Sequence, residues 1–243
     1  MYGNAEDRLG PALEPYRAEV FLAGNTLQRT SDGATADLER SLKRLRTHYL
    51  DLYQLHAITE PAEVEQVIGP GSALEAFTAA QRAGKIRFIG FSAHSSGAAF
   101  DLIGRFAFDA VAFPLTPGVR HGSGTVERLM TEALDREMGI VALKPMARGP
   151  WPAGATKDYP KCWYQPLDRP DEARAALRFA LAHPVTTVIP PGDENLFRMV
   201  LLLADRLQPM SSGRNPRARR KEIDRPRSIP QLVRTRTWRI ANS

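Results

Sequence analysis

The chain has 243 residues, 33 Lys and Arg against 27 Asp and Glu, a net charge of +6 and a single cysteine. A chain of that length buries a core without staples, so a disulfide-framework peptide is excluded, and Cys162 alone makes neither an internal bridge nor a CxxC metal knuckle. No apolar run approaches the roughly 20 residues that span a bilayer, and residues 1–7 show no basic start followed by an apolar stretch. The expectation is a soluble cytoplasmic protein with no metal and no membrane partner.

From residue 19 to 206, short β-branched runs alternate with longer amphipathic stretches, the pattern of repeated βα units on a parallel sheet. In chain order the spacing predicts a strand at 20–23, then a helix at 34–46 with Leu38, Leu42 and Leu45 on one face. A strand at 50–55 and a helix at 73–83 follow, with Gly84 where a C-terminal cap is expected. Next come a strand at 86–91, a helix at 98–106, a strand at 110–115, a helix at 126–138 capped by Gly139, and a strand at 140–144. Residues 149–170 interrupt the repeat with five prolines, Trp151, Trp163 and Tyr164, which predicts a long loop or lid, or an ordered connection over one end of the fold. A helix at 171–182, a strand at 186–189 and a helix at 195–207 complete the pattern.

After Pro209 the periodicity stops. Ten of the basic residues but only Glu222 and Asp224 among the acids fall in residues 211–243, a local charge of +8, so residues 1–210 carry −2. Residues 1–208 are therefore expected to form the folded domain and 209–243 a basic, disordered tail. Such a tail can meet phosphates without specificity, but Trp238 is its only aromatic, and nucleic acid is not the expected partner.

Repeated βα units either close into an eight-stranded barrel or open into a doubly wound sheet. No GxGxxG turn is present, which weakens the second. Gly90-Phe91-Ser92-Ala93-His94 falls one glycine short of a nucleophile elbow. The five histidines form no HExxH or i,i+4 pair that suggests a metal. Asp51, inside an apolar strand, needs a hydrogen-bond partner.

Six segments carry a resemblance: Tyr2-Gly3-x-x-Glu6-x-x-Leu9-Gly10, Leu38-Glu39-Arg40-Ser41-Leu42-Lys43-Arg44-Leu45, Leu50-Asp51-Leu52-Tyr53-Gln54-Leu55-His56, Gly84-Lys85-Ile86-Arg87-Phe88-Ile89-Gly90-Phe91-Ser92, Lys144-Pro145 and Val185-Thr186-Thr187-Val188-Ile189-Pro190. In this order and spacing they resemble segments of the aldo-keto reductase family, from its catalytic-tyrosine motif to the ends of its last two strands.

The resemblance implies a (β/α)8 TIM-barrel-like fold, binding of NADP(H) and reduction of small carbonyl substrates. It implies Tyr2 as proton donor and His56 as the group that orients the carbonyl. A free tyrosine has a pKa near 10, and the family sets a lysine and an aspartate around it. Here Phe21-Leu22-Ala23-Gly24-Asn25-Thr26 has Asn25 at the lysine position. A unit charge about 4 Å away at an effective dielectric near 20 is worth about 4 kcal/mol, on the order of a thousandfold in rate.

The family's aspartate precedes the tyrosine, and this chain starts after it. The resemblance thus implies an N-terminally truncated member with about six of eight βα units. Ser92 and Thr116 match positions that meet the nicotinamide carboxamide, with Lys144 nearby and Leu143 where an aromatic often stacks. Pro191-Gly192-Asp193 opens the last helix, where free N–H groups suit a phosphate, and Arg198 is the expected partner of the 2′-phosphate. The expected function is an aldo-keto-reductase-type oxidoreductase with impaired activity, and the alternative is a non-catalytic remnant that binds nucleotide weakly or acts as a partner protein.

Overall fold

A computed structural model describes residues 3–117 and 124–207. Helix α1 (Ala5–Leu13) and a 3-10 turn (Glu14–Tyr16) lead into β1 (Ala23–Thr26), α2 (Ser31–Arg44), β2 (Leu50–Ile58), α3 (Pro61–Ile68), α4 (Ala73–Arg82), β3 (Ile86–Ala93), α5 (Ser96–Arg105) and β4 (Ala110–Pro114). Then come α6 (Thr125–Asp135), β5 (Gly139–Leu143), β6 (Ala147–Pro150), β7 (Tyr164–Pro166), α7 (Pro170–Ala182), β8 (Thr187–Val188) and α8 (Glu194–Ala204). Six strands form one parallel sheet in the order β1-β2-β3-β4-β5-β8, with β1 and β8 at its unpaired edges. The expected barrel is thus partial: strands alternate with helices, and the sheet does not close.

Strand alternation sorts the sheet into two faces. Tyr53, Leu55, Ile89, Phe91, Val111, Phe113 and Ile140 join helix residues Leu38, Leu42, Phe77, Leu102 and Leu129 in the main core. The Tyr53 and Phe77 rings lie 4.8 Å apart. The other face carries Asn25 and Gln54, which are register partners on β1 and β2, and Ser92 on β3 beside Ala112 on β4. A smaller cluster of Met146, Ala173, Ala176, Leu177, Val200 and Leu203 holds α7 to α8.

Asp51 finds its partners. Its carboxylate accepts from the Leu22 amide at 2.9 Å and meets Arg17 and Arg87, each at 2.9 Å. This grip on Leu22 explains why β1 spans Ala23–Thr26 rather than the expected 20–23, and it brings Asn25 into the strand.

The motif that begins at Tyr2 continues as an unexpected helix. A Cβ at Gly10 would stand 2.2 Å from the Arg44 carbonyl oxygen, so only glycine lets α1 press against the end of α2. Ser41 Oγ also donates to Glu6 at 2.7 Å. Gly84 takes the left-handed conformation expected of a cap (φ +72°), but Gly139 does not. Glu137 turns the chain there (φ +58°), and Gly139 begins β5.

The proline-rich segment is bounded by an antiparallel hairpin of β6 and β7. Within it the Trp151 indole donates to the Cys162 carbonyl at 2.8 Å. Between the two strands, residues 151–163 carry neither helix nor strand and are mostly exposed, a long loop closed at its base by the hairpin. Residues 208–243, including the whole of the expected tail, lie outside the described residues. Among the described residues no helix is long and apolar enough to cross a membrane.

Candidate active site

The carboxyl ends of parallel strands are where side chains from several βα units converge, and β2 ends there in a bulge. Leu55 pairs with Phe91 and Ile58 with Ala93, so His56 and Ala57 together face the single residue Ser92. An extra residue in one strand re-aims the side chains around it. Ala57 absorbs the distortion with φ +55°, a left-handed conformation unusual for a residue with a Cβ.

Ser92, at 3% exposure, closes the bulge. Its hydroxyl accepts from the Ala57 amide at 2.8 Å and lies 3.0 Å from His56 Nδ1. On the other side Arg29 Nη2 donates to the His56 carbonyl at 2.9 Å while pairing with Glu63 at 2.7 Å. Partial burial opposes ionisation of Glu63. Hydrogen bonds from Arg29, from the Thr59 and Glu60 amides and from the Thr59 hydroxyl outweigh it and hold the carboxyl down at about 2.

Burial, then the positive charges of His94, Arg29 and Lys144, hold the His56 imidazole below its ordinary range. His94 is lowered too, by burial and by Lys144. Burial also lowers Lys144, which leaves β5 with φ +55°. A ring whose neighbours are cationic stays neutral at pH 7. Three basic groups thus share the ends of β2, β3 and β5. His94 was set aside in the sequence because no metal spacing includes it, and its position two residues beyond Ser92 was the only available signal.

Three buried side-chain atoms on β2 and just beyond β4, Tyr53 Oη, Gln54 Nε2 and Thr116 Oγ1, have no hydrogen-bond partner among the described residues. Thr116 follows β4, where the Leu115 amide donates to the Leu143 carbonyl at 2.9 Å and ties it to the β5 end. Asn25 lies level with Gln54, half-buried.

The start of α8 differs from the expectation of free N–H groups. Asp193 Oδ1 accepts from the Asn195 and Leu196 amides at 2.9 and 3.2 Å, so a carboxylate holds the position expected for a phosphate. Pro191 is buried, and Gly192 and Arg198 are exposed. Tyr2 lies outside the described residues. Ser92 and His56 are therefore brought into contact, Thr116 and Lys144 follow the neighbouring strands β4 and β5, and Arg198 lies exposed on α8. No group of His, Cys, Asp or Glu among the described residues is arranged to hold a metal ion.

The sequence model of the Aldo/keto reductase family matches residues 1–196. The chain belongs to this family. Two curated relatives from Bacillus subtilis (strain 168) align with it: an uncharacterized oxidoreductase, YqkF, 31% identical over 102 residues, and aldo-keto reductase YhdN, 35% identical over 103 residues. Each alignment covers 37% of the chain and less than a third of the relative, 31% and 29% respectively.

Among solved structures, the holo form of aldo-keto reductase AKR11C1 from Bacillus halodurans superposes with a TM-score of 0.65 at 21% identity, over 88% of this chain and 77% of that one. The Bombyx mori aldo-keto reductase AKR2E4 in complex with NADP gives 0.55 at 16% identity, over 82% and 74%. At such identities the likeness is one of fold, and it agrees with the partial barrel.

Proposed function

We propose that this aldo-keto reductase family member is an NADP(H)-dependent oxidoreductase that reduces small aldehydes or ketones, with activity impaired by Asn25. The observation that carries the reading is His56 at the carboxyl end of β2, with Nδ1 tied to Ser92 so that Nε2 remains for a substrate and with burial holding its pKa below the ordinary range.

The cofactor can be tested against the residues present. Thr116 has a buried hydroxyl without a partner, which suits the polar carboxamide of a nicotinamide. Lys144 stands near as a cation, and Pro191, Gly192 and Arg198 are the family-matched contacts for the phosphate end. There Asp193 must yield its two amides. When bound, the cofactor supplies a hydride to the carbonyl carbon. His56 offers a hydrogen bond to the carbonyl oxygen and orients it, and Tyr2, by its match to the family motif, gives that oxygen a proton. Asn25 can hydrogen-bond but cannot lend the charge that eases proton loss from a tyrosine.

The uncharged Asn25 and the occupied helix start favour a second reading, a non-catalytic member that binds nucleotide weakly or serves as a partner protein. Titrating the full chain with NADPH and following nicotinamide fluorescence tests both. A saturable change with turnover of simple aldehydes supports the first, and a saturable change without turnover supports the second. No saturable change overturns both nucleotide readings.

A further inference from the structure

The bulge of β2 sets two groups against one hydroxyl. A serine oxygen has one proton to donate and two lone pairs with which to accept. The Ala57 amide occupies one lone pair of Ser92 at 2.8 Å, and its direction is set by the left-handed Ala57 backbone. His56 Nδ1, 3.0 Å away, is the remaining partner.

If Nδ1 carried the ring proton it would take the second lone pair, and the serine proton would be left buried without an acceptor among the described residues. If Nδ1 is bare, the serine donates to it and every group is satisfied. We propose that Ser92 is a positioning residue that locks His56 in the tautomer with its proton on Nε2. The inference rests on reading His56 as the group that meets the substrate carbonyl, and it assigns Ser92 to the histidine rather than to the cofactor carboxamide.

The His56 backbone is held independently of the ring. Arg29 holds the His56 carbonyl from the other side at 2.9 Å, and Glu63 fixes that guanidinium. Since the ring is neutral at pH 7, it has one proton and two nitrogens, and a neighbour must decide which nitrogen keeps it. A proton on Nε2 makes the ring a donor toward a carbonyl oxygen. A bare Nε2 would repel the same oxygen.

The test is the imidazole nitrogen spectrum of the full chain labelled with 15N-histidine, recorded where the ring is neutral. His56 is assigned by the signals lost in His56→Gln. The expected spectrum has Nδ1 bare and Nε2 protonated, in about tenfold excess or more over the other form, as the loss of a buried hydrogen bond implies.

In Ser92→Ala the two signals should move toward the average of a mixed population, and in Ser92→Cys, a weaker donor, they should fall between. A wild-type ring protonated on Nδ1, or an unchanged ring in Ser92→Ala, overturns the proposal. Should Ser92→Ala fail to fold, the wild-type and Ser92→Cys spectra decide. NADPH titration of the same variants separates the two readings of the serine. An unchanged Kd with a lower kcat supports positioning, whereas a weakened Kd with an unchanged tautomer returns Ser92 to the cofactor. A wild-type chain that keeps the tautomer but binds no NADPH sinks the reductase reading and leaves the positioning of His56 intact.

Discussion

Glu63 reaches His56 through one guanidinium: its carboxylate lies 2.7 Å from Arg29 Nη2, and the same nitrogen lies 2.9 Å from the His56 carbonyl. The contact joins the start of α3 to the bulge of β2, and it keeps Arg29 in a half-buried position where Nη1 has no partner of its own. Losing the carboxylate would leave that cation without compensation.

Glu63→Gln should therefore cost about 1–3 kcal/mol at neutral pH, the scale of a buried partner left unsatisfied. The pH dependence has a definite sign. A carboxyl held down at about 2, against an ordinary value of 4.5, adds stability in full above 4.5 and loses it as the pH falls toward 2. Urea unfolding of wild type and variant across that range should show midpoints that converge on acidification. A constant gap would refute the assignment.

Asp51 offers a contrast between buried and exposed partners of one charge. Its side chain is 4% exposed, Arg17 is 13% exposed and Arg87 is 58% exposed. Both guanidiniums also lie over the Tyr49 ring, at 3.9 and 4.4 Å from its centroid. Asp51→Asn removes the charge that Arg17 faces and should cost about 3–5 kcal/mol. Arg87→Ala, in a site screened by water, should cost about 1 kcal/mol or less. Thermal unfolding of the two variants checks the ratio, and equal losses would mean that the network is not divided by burial.

The βα repeat was legible because Leu50, Leu52 and Leu55 announce a strand, and Leu38, Leu42 and Leu45 announce a helix face. The bulge was not, since it belongs to the pairing of His56 and Ala57 with Ser92, 35 or more residues away. Arg29 was invisible for the same reason. Helix α1 went unread because Gly10 and Pro11 lower local helix propensity, and what fixes it is contact with Ser41 and Arg44. The resemblance of their motifs led to His56, Ser92 and Thr116, whereas Asp193 reversed an expectation because a capping carboxylate competes for the amides that a phosphate would use.

Thr116→Val keeps the shape of a side chain that is 3% exposed and removes a hydroxyl with no partner. Stability should stay level or rise by about 1 kcal/mol, since a buried unpaired group disappears. NADPH affinity should fall by about two- to tenfold, the worth of one hydrogen bond. Calorimetry and the fluorescence titration read the two effects separately. A drop in stability would show that the hydroxyl is satisfied within the protein.

Asn25→Lys restores a charge beside Gln54, its neighbour in the β1–β2 register. Turnover should rise by about tenfold or more, a fraction of the thousandfold set by a charge at close range. The folded state should lose about 1–2 kcal/mol for holding an ammonium in a half-buried position. Steady-state rates with NADPH and a small aldehyde check this. A variant that folds, binds NADPH and gains no rate would favour the non-catalytic reading.

Asp193 supports two opposing predictions at once. Its carboxylate caps α8 by accepting from Asn195 and Leu196, so Asp193→Ala should destabilise the chain by about 1 kcal/mol. The same change frees two amides at a helix start and removes a negative charge, which favours an incoming phosphate. NADPH should then bind more tightly, by about two- to fivefold, as expected for a dipole contribution of up to about 1 kcal/mol. Glu194→Gln provides the control. Glu194 is exposed and paired with Lys161, so it should leave affinity unchanged. If Asp193→Ala weakens NADPH binding, the carboxylate belongs to the nucleotide site as a ligand, and the phosphate sits elsewhere than at α8.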